Sequence, residues 1–357
     1  MSLATTLSPT ARAAQAQRPL PLAVTMGEPS GIGGEIALKA WLARAQGLPV
    51  FYLIDESDRL AALAAQLGIV APIARIDRPE QATRLFAGAL PVFPQPLGTP
   101  VQPGRPDHAN ASAVLGSIRR AVEHCRGGQA GGVVTNPIHK RTLYETGFTH
   151  PGHTEFLAQL AGKNARAVMM LVSSELRVVP VTIHVSLRQA VERLTQAEII
   201  AAGRITAAAL RDDFGITAPR LAVTGLNPHA GEEGSLGRDE QEIVAPAVQQ
   251  LCKLGINAFG PMPADTMFHP AARRTYDAIL CMYHDQALIP IKTIDFWGAV
   301  NLTLGLPFVR TSPDHGTALD IAGTGKADAA SLIAAIKLAG EIVQRRTAGA
   351  HAPASAT

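Results

Sequence analysis

The alternation of apolar, strand-like runs with segments of helical period constrains this chain more than any other feature. From Leu20 onward the run PLAVTM precedes the helical segment EIALKAWLARA, PVFYLID precedes SDRLAALAAQLG, and the order continues to a final helical segment, DAASLIAAIKLAGEIVQRR. Short apolar runs separated by helical segments are typical of βαβ units. The alternation therefore predicts an α/β protein built on a mostly parallel sheet.

The length of the chain predicts two domains. A single hydrophobic core stops growing at roughly 250 to 300 residues, and this chain has 357. We place the boundaries near residues 140 and 300, so that 20–140 plus 301–346 form one α/β/α domain and 141–300 form the second, with a cleft between them. The acid-free opening, residues 1–19, and the Ala-rich end, residues 347–357, are predicted to be disordered tails.

Composition and charge exclude several classes of protein. Aromatic residues make up 4% of the chain and the formal net charge is only +3, so neither base-stacking surfaces nor a strongly basic face is expected. No apolar run approaches the roughly 20 residues of a membrane span. We therefore expect neither nucleic acid nor a membrane as a partner. The three widely separated cysteines, Cys125, Cys252 and Cys281, indicate reduced thiols and a cytoplasmic location.

The segment TMGEPSGIGGE places four glycines, Gly27, Gly31, Gly33 and Gly34, between the first predicted strand and the first predicted helix. Glycines allow a ligand to approach the backbone closely, and a helix N-terminus attracts anions. The spacing matches neither the G-x-G-x-x-G fingerprint nor a P-loop. The segment is therefore either a ligand-binding loop or a tight turn between strand and helix, and the sequence leaves both interpretations open.

Three of the 11 histidines follow predicted strands: His184 ends VVPVTIH, His229 lies in LNPHAGEEG, and His284 lies in MYHDQ. In open parallel sheets, ligands bind beyond the carboxyl ends of the strands. Imidazoles from separate loops that leave coordination positions open suit a catalytic divalent cation. These three histidines are therefore candidate metal ligands, although a single histidine after a strand is more often a cap or a surface residue.

Polar residues flank the candidate ligands. Asp285 and Gln286 follow His284 directly, and Asn227 precedes His229 by two residues. Carboxylates and amides in such positions orient ligand imidazoles through hydrogen bonds. Asp285 is also a candidate proton acceptor.

Cationic and polar residues indicate an anionic substrate. Arg310 and Lys292 suit phosphate or carboxylate, and Asn301 lies between them in sequence. Burial of the Lys292 stem after IPI would lower the pKa of its amine, which makes Lys292 a second candidate for proton transfer. GHTEF, with His153 and Thr154 at the start of a predicted helix, is typical of an anion cup with Thr154 as the cap. Ordinary surface charge and a purely structural cap remain alternatives.

Six motifs together resemble the 4-hydroxythreonine-4-phosphate dehydrogenase family of pyridoxal phosphate biosynthesis. They are GEPSGIGGE, GHTEF, LNPHAGEEG, GPMPADTMF, MYHDQALIPIK and NLTLGLPFVRTSPDHGTALDIAGTGKAD. The resemblance implies an isocitrate/isopropylmalate dehydrogenase-like architecture, with the active site in the cleft between two α/β domains. It also implies a homodimer with shared active sites, whose interface lies in the second domain. Gly34 departs from the family, which usually has proline at that position.

The resemblance also implies site residues and cofactors. It implies a divalent metal, most often zinc, with magnesium or cobalt as alternatives, held by His184, His229 and His284 with one ligand crossing the dimer interface. Substrate contacts are implied for His153, Thr154, Lys292, Asn301 and Arg310. The cofactor is NAD or NADP; its binding residues are unassigned, because no fingerprint with a following acidic residue marks the ribose site.

The reaction that the resemblance implies is the oxidation and decarboxylation of 4-phosphooxy-L-threonine to 3-amino-2-oxopropyl phosphate. Lys292 is the candidate catalytic base and Asp285 its rival. A related dehydrogenase of threonate or erythronate phosphate, or of a dihydrodiol, is the alternative. A metal-dependent hydrolase, which would use the same histidines to activate water, ranks lower.

Overall fold

The computed structural model describes residues 19–150, 152–162 and 165–350. Its strands join in a single twelve-stranded sheet. In chain order they are β1 (Leu22–Thr25), β2 (Phe51–Asp55), β3 (Ile73–Arg75), β4 (Leu90–Pro94), β5 (Gly132–Val134), β6 (Val168–Val172), β7 (Arg177–Pro180), β8 (Arg220–Thr224), β9 (Asn257–Met262), β10 (Ala278–Cys281), β11 (Val300–Leu304) and β12 (Val309–Pro313).

The strand order in the sheet is β3-β4-β2-β1-β5-β12-β11-β6-β7-β10-β8-β9. Neighbouring strands are parallel except where β11 pairs with β12 and with β6, and where β6 pairs with β7. The prediction of an α/β protein with a mostly parallel sheet is confirmed.

Twelve α-helices of the described chain connect or cover these strands. They are α1 (Gly33–Leu42), α2 (Ser57–Gln66), α3 (Ala82–Leu85), α4 (Ala111–Arg126), α5 (Lys140–Tyr144), α6 (His153–Ala161), α7 (Leu187–Arg193), α8 (Gln196–Asp212), α9 (Ala245–Lys253), α10 (Pro270–Arg273), α11 (His284–Ile294) and α12 (Ala330–Ala350). Short 3₁₀ segments cover Ala43–Gln46, Pro79–Gln81, His108–Asn110 and Ala264–Thr266. None of the helices in the ranges described above is both long and apolar enough to cross a bilayer.

The last helix extends beyond its predicted end. Residues 347–350 belong to α12 rather than to a disordered tail, and the Thr347 hydroxyl donates to the Val343 carbonyl at 2.8 Å, one turn earlier. The chain from Ala330 to Ala350 is rich in alanine, the residue with the highest helix propensity. Residues 1–18 and 351–357 of the predicted tails lie outside the described part of the chain.

Hydrophobic cores lie on both faces of the sheet, because helices cover both faces. All five residues of β2 are buried, as is usual for a parallel strand between two helical layers. Phe51 and Leu53 pack into one cluster, whereas Tyr52 and Ile54 pack into another on the opposite face. The sequence of β2 is therefore a mostly continuous apolar run rather than an alternation of apolar and polar residues.

The segment after residue 300 returns to the first part of the chain. Strand β12 pairs with β5, and α12 packs on both of these strands. Strand β11 lies between β12 and β6 and so joins the two parts of one continuous sheet. The division into 20–140 plus 301–346 and 141–300 stays a prediction.

Strands β7, β8 and β10 run opposite to β1 and β5, because three antiparallel pairs intervene. Adjacent strands rotate by about 20–25° relative to one another, and β10 lies six places from β1. At that rate the rotation between β1 and β10 would accumulate to about 120–150° and turn these strands back toward the direction of the first set. We therefore expect the carboxyl ends of both sets to open toward the same cleft.

Candidate active site

His184 and His284 lie side by side beyond two parallel neighbouring strands, β7 and β10. The centroids of their rings are 6.3 Å apart. His184 has a φ of 53°, in the left-handed region that non-glycine residues seldom adopt. His284 Nδ1 shares a 2.7 Å hydrogen bond with Asp285 Oδ1. This contact leaves Nε2 of His284 available to a metal, so Asp285 is placed to orient the ring.

His229 lies on a left-handed turn, within the 3₁₀ segment Pro228–Gly234. Residues 229–233 have φ values between 42° and 80°, and four of the five are not glycine. Left-handed backbone costs about 1–2 kcal/mol for each such residue, so the turn needs support from outside. It lies beyond β8, the strand next to β10 in the sheet.

Glu240 provides that support. One oxygen of this buried carboxylate accepts from the backbone N–H groups of Leu226 and Asn227 at 2.8 and 2.7 Å, and the other accepts from Asn227 Nδ2 at 3.0 Å. Glu240 begins a π-helical segment, Glu240–Val244. The amide of Asn227 thus binds Glu240 and Asp239, not His229.

Gln286 ties the loop after β8 to the loop after β10. Its Oε1 accepts from the Thr224 hydroxyl at 2.8 Å and from the Met282 N–H at 2.7 Å. Its Nε2 donates to the Gly225 carbonyl at 2.8 Å. Gln286 therefore fixes the two loops that carry candidate ligands, rather than an imidazole directly.

The donor set fits a divalent metal only in part. His184 and His284 offer two adjacent imidazoles, the ligand type that zinc and other transition metals prefer. Within one chain, the residues that the structure describes contain no cluster of three His, Cys, Asp or Glu side chains able to hold a metal ion. These two imidazoles by themselves are an incomplete ligand set for such an ion.

Arg310 lies in β12 with its guanidinium buried. Its Nη2 and Nε donate to the Thr135 hydroxyl at 2.7 and 3.2 Å, and its Nη1 donates to the Thr303 hydroxyl at 2.8 Å and to Asn301 Oδ1 at 3.5 Å. Burial lowers the pKa of Arg310 to about 10, so the group stays charged at neutral pH. In the part of the chain that the structure describes, these hydrogen-bond partners are all neutral. The Glu155 carboxylate is near enough for its charge to favour the charged form of Arg310. A buried guanidinium whose hydrogen bonds all go to neutral groups still favours an anionic ligand.

Helix α6 begins at His153, and Gly152 occupies the cap position without a side-chain hydrogen bond. The prediction that Thr154 caps this helix is therefore wrong, because Thr154 is buried inside the first turn. Burial, with Arg310 and Lys140 nearby, lowers the pKa of His153 well below its ordinary value. The imidazole is thus neutral at pH 7, and its Nε2 is buried without a hydrogen-bond partner.

Two more buried polar atoms near Arg310 have no partner: Asn136 Oδ1 and Glu155 Oε2. Asn136 follows Thr135, which binds the Arg310 guanidinium. Buried polar groups in native proteins are almost always paired. These two unpaired acceptor oxygens favour a ligand group that can donate a hydrogen bond.

Lys292 lies where the second part of the chain meets β12. Its Nζ is 2.5 Å from Asp314 Oδ2 and donates to the Asp314 carbonyl at 2.7 Å. Asp314 directly follows β12, and the Phe296 ring centroid is 5.0 Å from the same ammonium. For Lys292 to act as a base, its amine must first exchange the Asp314 contact for a substrate contact.

The glycine loop packs against its own chain. Gly27 has a φ of +68°, and a Cβ there would lie 2.7 Å from Asn136 Cβ. A Cβ on Gly31 would lie 2.9 Å from the Thr317 carbonyl oxygen, and one on Gly33 would lie 2.8 Å from the Met26 carbonyl oxygen. These contacts favour the tight-turn interpretation of the segment.

Gly34 packs against α2, where a Cβ would lie 2.9 Å from Leu63 Cδ2 and 3.2 Å from Arg59 Nη1. Beside the loop is a cavity of about 500 Å³, within the range of small-molecule sites. Its lining includes Asp58, Arg59, Thr99 and Gly323. These polar groups could hold part of a cofactor, such as a ribose or a phosphate.

Sequence reasoning missed several residues of the site. Asn136 is the second residue after β5 and Asp314 directly follows β12, so the rule applied to the histidines would have found both. Glu155 directly follows the predicted substrate residues His153 and Thr154, and its proximity to His184 was not foreseen. The support of the left-handed turn by Glu240 carries no sequence signal.

Solved structures with the same fold define the class of this protein. The crystal structure of 4-hydroxythreonine-4-phosphate dehydrogenase from Klebsiella pneumoniae matches with a TM-score of 0.81 and 38% identity, covering 91% of this chain and 99% of that one. A terephthalate 1,2-cis-dihydrodiol dehydrogenase from Burkholderia xenovorans matches with a TM-score of 0.62 and 30% identity, covering 90% and 98%. With its fold and site, the protein is an oxidoreductase of the isocitrate/isopropylmalate dehydrogenase-like class, as predicted.

Sequence comparison identifies the family. The model of the pyridoxal phosphate biosynthetic protein PdxA matches residues 49–339. A 4-hydroxythreonine-4-phosphate dehydrogenase from Bradyrhizobium diazoefficiens is 56% identical over 339 residues, which cover 92% of this chain and 98% of that protein. The chain belongs to the PdxA family, and the predicted resemblance is confirmed.

Proposed function

We propose that this protein oxidises and decarboxylates 4-phosphooxy-L-threonine to 3-amino-2-oxopropyl phosphate, using NAD or NADP and a divalent metal. Zinc is the first candidate metal, with magnesium and cobalt as alternatives. The observation that carries the proposal is the buried guanidinium of Arg310, whose hydrogen-bond partners in the described structure are all neutral and which lies near His153, a ring with an unpaired Nε2. A phosphorylated substrate supplies the anion that this arrangement favours.

Arg310, Asn301, His153 and Thr154 bind the phosphate end of the substrate. The guanidinium provides charge, the amide and hydroxyl provide hydrogen bonds, and the neutral His153 ring adds a further hydrogen bond through its unpaired Nε2. Fixing the phosphate orients the rest of the substrate toward the histidines, which converts binding energy into alignment of the reacting carbon.

His184, His229 and His284 hold the metal, and Asp285 keeps the His284 ring in place. When bound, the metal would supply Lewis acidity to the substrate hydroxyl, and the nicotinamide would accept the hydride. Lys292 takes the proton of that hydroxyl, with Asp285 as the rival base. The contact of Lys292 with Asp314 keeps the lysine amine at the junction between α11 and β12 until the substrate binds.

Two copies of the chain form a homodimer with shared sites. Large apolar side chains are exposed on the elements that carry the candidate ligands: Leu187 and Val191 on α7, Ile289 on α11, and Phe296 and Trp297 just beyond it. Grouped exposed apolar residues of this size are typical of protein interfaces. A second chain on this surface covers them and supplies the metal ligand that one chain lacks.

A dehydrogenase of another substrate is the second candidate. The similarity to the dihydrodiol dehydrogenase structure favours it, and Arg310 would suit a carboxylate as well as a phosphate. Threonate and erythronate phosphates fit the same anion-binding residues.

A spectrophotometric assay at 340 nm tests the proposal. The purified protein is given NAD or NADP with 4-phosphooxy-threonine, phosphorylated threonate or phosphorylated erythronate, before and after chelation. We expect chelator-sensitive reduction with 4-phosphooxy-threonine. Reduction with only one of the other acids would move the protein to the second candidate function, and no reduction with any of the three would favour a metal-dependent hydrolase.

A further inference from the structure

Glu155 lies between the residues proposed for the substrate and those proposed for the metal. It occupies the first turn of α6, directly after His153 and Thr154. Its Oε1 is 3.9 Å from His184 Nδ1. Its Oε2 is buried and has no hydrogen-bond partner.

A histidine that binds a metal through one ring nitrogen needs a partner for the other. The partner fixes both the tautomer and the orientation of the ring. His284 has such a partner, because Asp285 contacts its Nδ1 at 2.7 Å. His184 lies outside regular secondary structure, in a left-handed conformation, so no helix or strand holds its ring. The Glu155 carboxylate is the acidic group in contact distance of its Nδ1.

We propose that Glu155 is a positioning residue for His184: the 3.9 Å gap closes when the ring binds a metal through Nε2, and the carboxylate then accepts the Nδ1 proton. The inference rests on the proposed metal site. Because His153, Thr154 and Glu155 share one helical turn, the same turn that binds the phosphate also orients a metal ligand.

Lys140 balances the charge of this carboxylate. A Cβ on Gly152 would lie 3.5 Å from Glu155 Oε2 and 3.6 Å from Lys140 Nζ. Glycine at this position therefore leaves room for the two side chains to approach each other. The carboxylate thus lies between a nearby cation and the His184 imidazole.

The simpler role for Glu155 is that of an acid that stabilises a helix N-terminus. Two variants separate the roles. Glu155→Asp keeps the negative charge in the first turn but shortens the reach to His184. Glu155→Gln loses the charge but keeps an oxygen that can accept the Nδ1 proton at the same distance. Gln159→Ala, which changes an exposed residue one turn further along α6, is the matched control.

Zinc affinity is measured on the full-length protein by competition with a chromophoric chelator, without substrate or nucleotide. Loss of a partner of a ligand histidine weakens metal binding about 10- to 100-fold. We expect a loss of that size for Glu155→Asp, a smaller loss for Glu155→Gln, and wild-type affinity for Gln159→Ala. Wild-type affinity in Glu155→Asp would overturn the proposal, as would a larger loss in Glu155→Gln than in Glu155→Asp.

The measurement also separates this inference from the proposed reaction. Zinc binding by the wild-type protein without dehydrogenase activity would contradict the proposed function and leave the role of Glu155 open to the same comparison. If the wild-type protein binds no zinc, cobalt or magnesium in the competition assay, the metal site and the positioning role both fail.

Discussion

At the scale of single residues, a buried cation determines what the site can bind. Arg310 is only 3% exposed, and its hydrogen bonds go to Thr135, Thr303 and Asn301. Its N–H groups bind neutral hydroxyls and an amide, and the nearby Glu155 carboxylate is not hydrogen-bonded to it in the described structure. An anionic substrate completes this arrangement, which is why the site favours a phosphate or a carboxylate.

Replacing Arg310 should therefore weaken substrate binding more than it slows turnover. Removal of one member of a buried ionic contact costs about 2 kcal/mol or more, which corresponds to a rise in KM of about 30-fold. We expect such a rise for Arg310→Ala in steady-state kinetics with the phosphorylated substrate, with a smaller fall in kcat. Thr303→Val, which removes one hydrogen-bond partner only, should change KM by a few-fold. An unchanged KM in Arg310→Ala would contradict the role assigned to the guanidinium.

His153 should make stability depend on pH. Its pKa in the folded protein lies well below 6.5, chiefly because of burial, whereas the unfolded chain titrates near about 6.5. Between these values the unfolded state binds more protons, so the free energy of unfolding falls as the pH drops below about 6.5. The loss is at most about 1 kcal/mol per pH unit after allowance for solvent screening.

Urea unfolding at pH 7.5 and pH 5.5 measures this effect. We expect the wild-type protein to lose more stability between the two values than His153→Asn does. The pKa of His124 is also lowered by burial, but this histidine is present in both proteins and cancels in the difference. Equal losses in the two proteins would show that His153 titrates alike in the folded and unfolded states.

At the scale of elements, one turn is held by a residue outside it. The left-handed residues 229–233 carry His229, and the buried Glu240 binds the two N–H groups that lead into them. Without this carboxylate, the backbone N–H groups of Leu226 and Asn227 would be buried and unpaired. Each such group costs about 1–3 kcal/mol.

We expect Glu240→Ala to lower the free energy of unfolding by about 2–4 kcal/mol and to weaken metal binding, because His229 loses its fixed position. Glu233→Ala is the matched control, since Glu233 is an exposed glutamate on the same turn. Urea unfolding and chelator competition measure the two effects. Stability within about 0.5 kcal/mol of the wild type would show that the turn holds without Glu240.

At the scale of the whole molecule, a shared site requires a second chain. The exposed Ile289 lies on α11, the helix that begins at the candidate ligand His284. A charge at this position is compatible with a folded single chain, because the side chain is 63% exposed. In a dimer interface the same charge would be buried.

Ile289→Asp should therefore give a folded monomer that has lost most of its bound metal and its activity. Light scattering coupled to size-exclusion chromatography measures the mass, and metal analysis follows on the same fractions. Val70→Asp, at a position 84% exposed in the first part of the chain, should remain dimeric and active. A dimeric, active Ile289→Asp protein would place the interface elsewhere.

Most elements were predictable from the sequence, because strand and helix periods depend on neighbouring residues. The buried β2 and the helix α12 followed from apolar pattern alone, although α12 extends to Ala350. The positions of His184, His229 and His284 beyond strands were also predictable. The first residue of α6 was not predicted correctly, because the helix begins at His153 and Gly152, rather than Thr154, takes the cap position.

The sequence by itself determined the α/β class, the family and the residue types available for an anion and a metal. These follow from local periodicity and from motifs read along the chain. Only the tertiary structure decided that Glu155 meets His184, that Glu240 supports the turn of His229, and that Lys292 meets Asp314. These contacts depend on how a twisted sheet with reversed strands brings separate loops together. The distance between two such loops cannot be predicted from any pattern of neighbouring residues.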